Sequence, residues 1–157
     1  MEKKIKRVYI DSSVVYGAPA KEFSEDSRRF WEAVRGGDIM IVVSNILVTE
    51  IERASQKVRD LFNTIPESQI ERIASTTESD RLAMQYIAEN VVGTSSLDDC
   101  RHIAVATIYR ADAVVSWNFQ HMIYRRAGYN DVNEKSGYPG IEILTPKKFM
   151  EASHDKN

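Results

Sequence analysis

Short apolar runs that do not alternate with polar residues most constrain what this chain can fold into. Residues 7–10, 39–43, 113–116 and 141–144 are such runs, and each is bounded by polar or turn-forming residues. A half-buried strand alternates apolar and polar side chains, whereas a strand covered on both faces reads as continuously apolar. Helical patterns separate the runs. Ser24–Arg35 carries Phe30, Trp31 and Val34 inward and stops at Gly36-Gly37. Ser44 is placed to cap a helix over 45–55, a further helix spans 57–65 before Pro66, and 78–90 shows Leu82, Tyr86 and Ile87 on one side. Another helix runs from Asp99 to about Tyr109, 119–127 is predicted helical, and 129–139 reads as a polar loop. Pro146 opens a terminal helix, where proline is tolerated in the first turn, and the tail 152–157 is expected to fray. Residues 69–73 are too few to separate strand from helix. Strand and helix in alternation predict an α/β fold with a parallel sheet covered on both faces.

The length of 157 residues predicts one domain over 1–157, large enough for a full core without disulfides. The single cysteine, Cys100, lies on an apolar helix face and reads as core packing. No apolar run is long enough to span a bilayer, and no apolar signal core follows Met1-Glu2-Lys3-Lys4, so the expected compartment is the cytoplasm. A net charge of −2 argues against a protein that coats duplex nucleic acid by charge alone.

Three acids occupy positions that folding does not require. Asp11 directly follows the first apolar run, where strand ends of a parallel sheet point into a crevice. Acids at such positions also begin turns. Glu50 falls on the helix stripe formed by Ile46, Leu47, Ile51 and Ala54, where a carboxylate is costly unless a charged or hydrogen-bonding partner meets it. It could instead lie at the stripe's edge and reach solvent or an arginine. Asp99 sits at the margin of the face formed by Cys100, Ile103, Ala104, Thr107 and Ile108. Asp98 reads as a helix N-terminal charge, and His102 shares the edge of Asp99 and could orient it. Three carboxylates in one crevice call for a cation. An all-oxygen donor set favours Mg²⁺ or Mn²⁺ over zinc. His102, His121 and His154 have no zinc-site spacing, and Gly36-Gly37 lacks the lysine and serine of a phosphate loop.

Three segments resemble those of the PIN-domain nucleases, which include the toxins of VapBC toxin–antitoxin pairs. They are Val8-Tyr9-Ile10-Asp11-Ser12-Ser13, Val43-Ser44-Asn45-Ile46-Leu47-Val48-Thr49-Glu50-Ile51, and Asp99-Cys100-Arg101-His102-Ile103-Ala104-Val105-Ala106 followed by Ala113-Val114-Val115-Ser116-Trp117-Asn118-Phe119. The run Ser116-Trp117-Asn118-Phe119-Gln120-His121-Met122 resembles one subgroup. The resemblance implies a three-layer α/β/α sandwich with a mostly parallel central sheet. It also implies an acidic pocket for Mg²⁺ or Mn²⁺, formed by Asp11, Glu50 and Asp99, and metal-dependent cleavage of single-stranded RNA. A homodimer and an antitoxin partner are further expectations from it.

One position departs from that pattern. Many members carry a fourth acid where this chain has Asn118, whose amide can hold a metal or its water but brings no charge. The expected mechanism is phosphodiester hydrolysis. In it a metal on Asp11 and Asp99 activates water, and Glu50 ligates the ion or orients the nucleophile. Ser116 and Asn118 position a water or phosphate oxygen. Arg28, Arg29, Arg101, Arg125 and Arg126 are candidates for gripping the RNA backbone, although for each a solvated surface position is the stronger reading, because surface arginines are common. The alternative is a catalytically impaired PIN-like domain that binds RNA or protein without cutting. A phosphoacceptor receiver domain is also doubly wound and acid-lined, but Asp11 lacks the acidic neighbour such a domain needs.

Overall fold

Five strands, β1 (Lys6–Ile10), β2 (Ile39–Ser44), β3 (Ile70–Ile73), β4 (Ala113–Val115) and β5 (Glu142–Leu144), form one sheet in the order β3-β2-β1-β4-β5. Every pairing is parallel. The computed structural model describes residues 6–17, 21 and 24–155. The charged start of the chain and the final two residues of the predicted frayed tail lie outside the described residues.

The helices are α1 (Ser12–Tyr16), α2 (Ser24–Arg35), α3 (Asn45–Glu52), α4 (Gln56–Asn63), α5 (Thr77–Ala88), α6 (Leu97–Ile108), α7 (Arg126–Lys135) and α8 (Pro146–Asp155). Alternate residues of β1 feed opposite layers. Val8 and Ile10 pack with Phe30, Trp31, Leu47 and Phe149, whereas Tyr9 packs with Tyr86, Ile103, Ala104 and Tyr129. The continuous apolar pattern therefore has the predicted cause: both faces of the sheet are buried. The result is the expected α/β/α sandwich, with a sheet that is wholly parallel.

The chain winds from β1 to β2 and β3 on one side, then crosses to β4 and β5 on the other. This reversal opens a crevice beyond the carboxyl ends of β1 and β4. Asp11 follows one of those ends, and Ser116, Trp117 and Asn118 follow the other.

Several boundaries differ from expectation. The helix predicted over 45–55 stops at Glu52, because Ser55 starts the next helix instead, its hydroxyl accepting from the Val58 N–H at 3.4 Å. The ambiguous residues 70–73 pair with β2 as a strand. Residues 119–127 are not one helix. The Asn118 carbonyl accepts from both Met122 N–H and Ile123 N–H, which winds this stretch into turns. Helix α7 then occupies most of the predicted polar loop. Its inward face consists of Tyr129, Val132 and Asn133, too few apolar positions to register as a helical stripe. Helix α8 runs through Asp155, so residues 152–155 are helical rather than frayed. Among the described residues no helix is long and apolar enough to cross a membrane.

Candidate active site

Asp11 leaves β1 in extended conformation and is 4% exposed. Its Oδ1 accepts from Ser13 Oγ at 2.6 Å and its Oδ2 from Ser116 Oγ at 2.8 Å. Those hydroxyls are themselves fixed by backbone donors that follow β4: Trp117 N–H reaches Ser13 Oγ, and Asn118 N–H reaches Ser116 Oγ, both at 2.9 Å. The carboxylate of one strand end is thus locked to the backbone of the neighbouring strand end. Burial pushes the Asp11 carboxyl above its ordinary range, and the two serine hydroxyls oppose that shift.

Asp99 lies in the first turn of α6 and is half-buried. Burial raises its pKa, and the negative charge of Asp11 raises it further. A hydrogen bond from Asn118 works in the other direction. The Asn118 Oδ1 accepts from His121 N–H at 3.0 Å, which leaves its amide nitrogen as the group facing Asp99. Asn118 therefore acts as a donor to a carboxylate. A fourth acid at this position could not do so.

Glu50 projects from α3, and its carboxylate is shared between two partners. Its Oε1 is 2.5 Å from His102 Nε2, and its Oε2 accepts from Ser12 Oγ at 3.3 Å. His102 is 2% exposed, and its Nδ1 is 2.6 Å from the Tyr9 hydroxyl. That hydroxyl is in turn 2.7 Å from Ser44 Oγ, which accepts from Leu47 N–H as the cap of α3. A single direction of donation satisfies every member: Leu47 N–H to Ser44, Ser44 O–H to Tyr9, Tyr9 O–H to His102 Nδ1, and His102 Nε2–H to Glu50. Burial drives the Tyr9 pKa far upward, so its hydroxyl keeps the proton this chain needs. The chain starts at the N-terminus of α3, crosses β1 and α6, and returns to α3 at Glu50. His102 thus orients Glu50, where the sequence had placed it beside Asp99. Nothing local in the sequence singles out Tyr9, because a tyrosine in an apolar strand reads as core.

Of the arginines considered for RNA, Arg28 is paired with Glu25 and Glu32 along α2. Arg101 lies 3.6 Å from Asp80 and 3.7 Å from Asp98, and Arg126 donates to the Ile123 carbonyl at 2.7 Å. Arg29 and Arg125 are exposed. Cys100 is fully buried, as expected, and burial pushes its thiol up to about 11.

Among the described residues no group of three or more histidine, cysteine, aspartate or glutamate side chains is arranged to hold a metal ion alone. Asp11 and Asp99 are nonetheless a fit for a hard divalent cation. Both are oxygen donors with raised proton affinity, Asp11 through burial and Asp99 through burial and the Asp11 charge, and a cation would relieve that cost. Mg²⁺ commonly binds through one or two carboxylates, with water and phosphate completing its shell.

No curated protein sequence matches this chain. Solved structures that share the fold include the following two. VapC20 of Mycobacterium tuberculosis, described as a sarcin–ricin loop cleaving toxin, superposes with a TM-score of 0.54 at 10% identity, covering 86% of this chain and 98% of the toxin. VapBC2 of Rickettsia felis, solved on a DNA fragment from its promoter, gives a TM-score of 0.53 at 13% identity, covering 88% of this chain and 98% of that one. The family model for the PIN domain matches residues 7–120, a span containing Asp11, Glu50, Asp99 and Asn118, and the chain belongs to the PIN domain family.

Proposed function

We propose that the protein is a Mg²⁺- or Mn²⁺-dependent endoribonuclease that hydrolyses phosphodiester bonds of single-stranded RNA. In this reading residues 1–157 act as one domain, the toxin of a toxin–antitoxin pair, with an antitoxin protein and a second copy of the chain as partners. The observation that carries it is the pair of proton-hungry carboxylates, Asp11 and Asp99, facing one crevice at the switch point of a PIN-domain sheet.

Asp11 and Asp99 would hold the cation, which supplies charge neutralisation for the phosphate and a more acidic water. Ser13 and Ser116 keep the Asp11 carboxylate in one rotamer, so its geometry is set before substrate arrives. Glu50, held by His102 and Ser12, presents a carboxylate that can align the attacking water and accept its proton. Asn118 steadies Asp99 and adds no negative charge against the incoming phosphate.

The test is cleavage of a mixed-sequence single-stranded RNA with Mn²⁺, with Mg²⁺ and with EDTA, alongside Asp99→Asn. Metal-dependent cutting that disappears in the variant supports the proposal. RNA binding without cutting under every metal condition would replace it with the second reading, a non-cleaving PIN-like binding domain. The lack of a three-residue metal cluster among the described residues is the observation that favours that reading.

A further inference from the structure

A cavity of about 350 Å³ lies between the end of α5 and α7, outside the acidic crevice. Its floor is apolar, formed by Val91 and Val132, and its rim carries Asn90, Tyr124, Arg125 and Lys135. Gly128 also lines it. A Cβ at Gly128 would come within 3.1 Å of Val91 Cγ1, so the glycine lets α7 approach that floor.

Tyr124 is the side chain on this rim that offers a ligand an aromatic face. It is 71% exposed, the largest exposure of any bulky apolar side chain among the described residues. It is nevertheless held in place: its N–H donates to the Phe119 carbonyl at 2.8 Å, and its ring lies 5.9 Å from that of Phe119. Phe119 continues to Trp117 at 6.2 Å, and the Trp117 indole N–H is anchored on Ser27 at 2.9 Å. This aromatic ladder passes directly by Asn118, the residue that steadies Asp99. It runs from Trp117, two residues beyond β4, to Tyr124 on the rim of the cavity.

The charge of the rim defines what would fit. Arg125 and Lys135 are offset by Glu89 and Asp131, and Lys135 is paired with Glu89 at 3.1 Å. Such a balanced rim has no preference for a phosphate. It suits a neutral, flat, polar ring that stacks on an aromatic face and offers N–H groups to carboxylate acceptors. Building on the ribonuclease reading above, we infer that this cavity is a nucleobase subsite. It would receive one unstacked base of the single-stranded RNA whose backbone crosses the acidic crevice, with Tyr124 as the stacking platform and Arg125 beside the adjoining phosphate. Stacking on an aromatic side chain is sequence-tolerant and strong enough to hold a strand in register.

The test measures binding of a fluorescein-labelled mixed 12-nucleotide RNA in the non-cleaving Asp99→Asn background, comparing Tyr124 with Tyr124→Ala, Tyr124→Phe and Arg125→Gln. Tyr124→Ala is expected to weaken binding about 10-fold, a typical loss for one stacked base, and Tyr124→Phe to leave it within about twofold. Arg125→Gln should flatten the salt dependence by about one ion. A probe with one abasic site, moved along the strand, should lose the same factor at a single position. Unchanged binding in Tyr124→Ala overturns the subsite, as does equal loss in Tyr124→Phe, which would make the hydroxyl rather than the ring responsible. A change in sedimentation without a change in RNA affinity overturns it too, in favour of a protein contact. If wild-type protein cuts RNA with metal while Tyr124→Ala binds normally, only the subsite fails. If no variant binds or cuts RNA, the ribonuclease reading fails with it.

Discussion

His102 Nε2 lies 2.5 Å from Glu50 Oε1, joining a residue buried in α6 to a half-exposed carboxylate on α3. The contact ends a directed run of hydrogen bonds that begins at the cap of α3. Glu50 is therefore not a free acid at a helix margin. Its position depends on two buried side chains that never touch the crevice, Tyr9 and Ser44.

This coupling should be measurable. Tyr9→Phe removes the donor to His102 Nδ1 and leaves a buried ring nitrogen without a partner, which costs about 1–3 kcal/mol. In a double-mutant cycle, His102→Ala and Glu50→Ala should be non-additive by about 0.5–3 kcal/mol, the range for residues in direct contact. Urea unfolding of the four proteins of the cycle and of Tyr9→Phe gives both numbers. Additive losses would show that the pair makes no net contribution.

Asp99 makes stability depend on pH in a definite sense. Burial and then the Asp11 charge raise its folded-state pKa, so the folded protein holds that proton more tightly than the unfolded chain does. Its contribution to stability is full below the ordinary aspartate pKa and is lost as pH rises through the raised folded value. Asp99→Asn keeps the neutral form at every pH. In EDTA the variant should match wild type at about pH 3 and melt roughly 2–4 °C higher at pH 7, the shift expected from ~1 kcal/mol in a domain of this size. Added Mn²⁺ should raise the wild-type Tm and leave the variant unchanged. Scanning calorimetry across pH checks both.

Asn118→Asp should act in two opposite directions. It removes the donor that faces Asp99 and places a third negative charge beside Asp11 and Asp99. The metal-free protein should lose about 1 kcal/mol. Mn²⁺ affinity should rise about tenfold, equivalent to ~1.4 kcal/mol of binding. Isothermal titration of both proteins at one pH separates the two effects.

Asn133 tests why α7 forms where a polar loop was expected. It is fully buried, accepts from the Tyr86 hydroxyl at 2.5 Å and donates to Thr107 Oγ1 at 3.3 Å. Asn133→Ala strands the Tyr86 hydroxyl and opens a small void, so a loss of about 2–4 kcal/mol is expected. Unfolding of the variant in urea measures it. Asn133→Asp should recover little, because a buried carboxylate brings its own desolvation cost.

Much of the architecture was legible because it rests on local pattern. Helix α2 was bounded correctly at both ends by its apolar stripe and by Gly36-Gly37. The capping role of Ser44 was readable from its place before the stripe. Helix α7 was not, because its buried face includes an asparagine and a tyrosine whose partners lie on α5 and α6.

The candidate site divides along the same line. Asp11 and Asp99 could be named from sequence because a strand end and a helix first turn are local addresses, and the topology of a parallel sheet brings such addresses to one crevice. Which atoms meet there was a tertiary decision. Asp11 and Ser116 are 105 residues apart, and His102 and Glu50 are 52 apart. The same helix face of α6 offers His102 to either Asp99 or Glu50, and the packing of α3 against α6 selects Glu50. The amide of Asn118 likewise turns to Asp99 because the His121 N–H occupies its oxygen. Sequence period sets which residues are buried, but the partner of a buried polar group is chosen only when distant elements close over it and every donor must be satisfied at once.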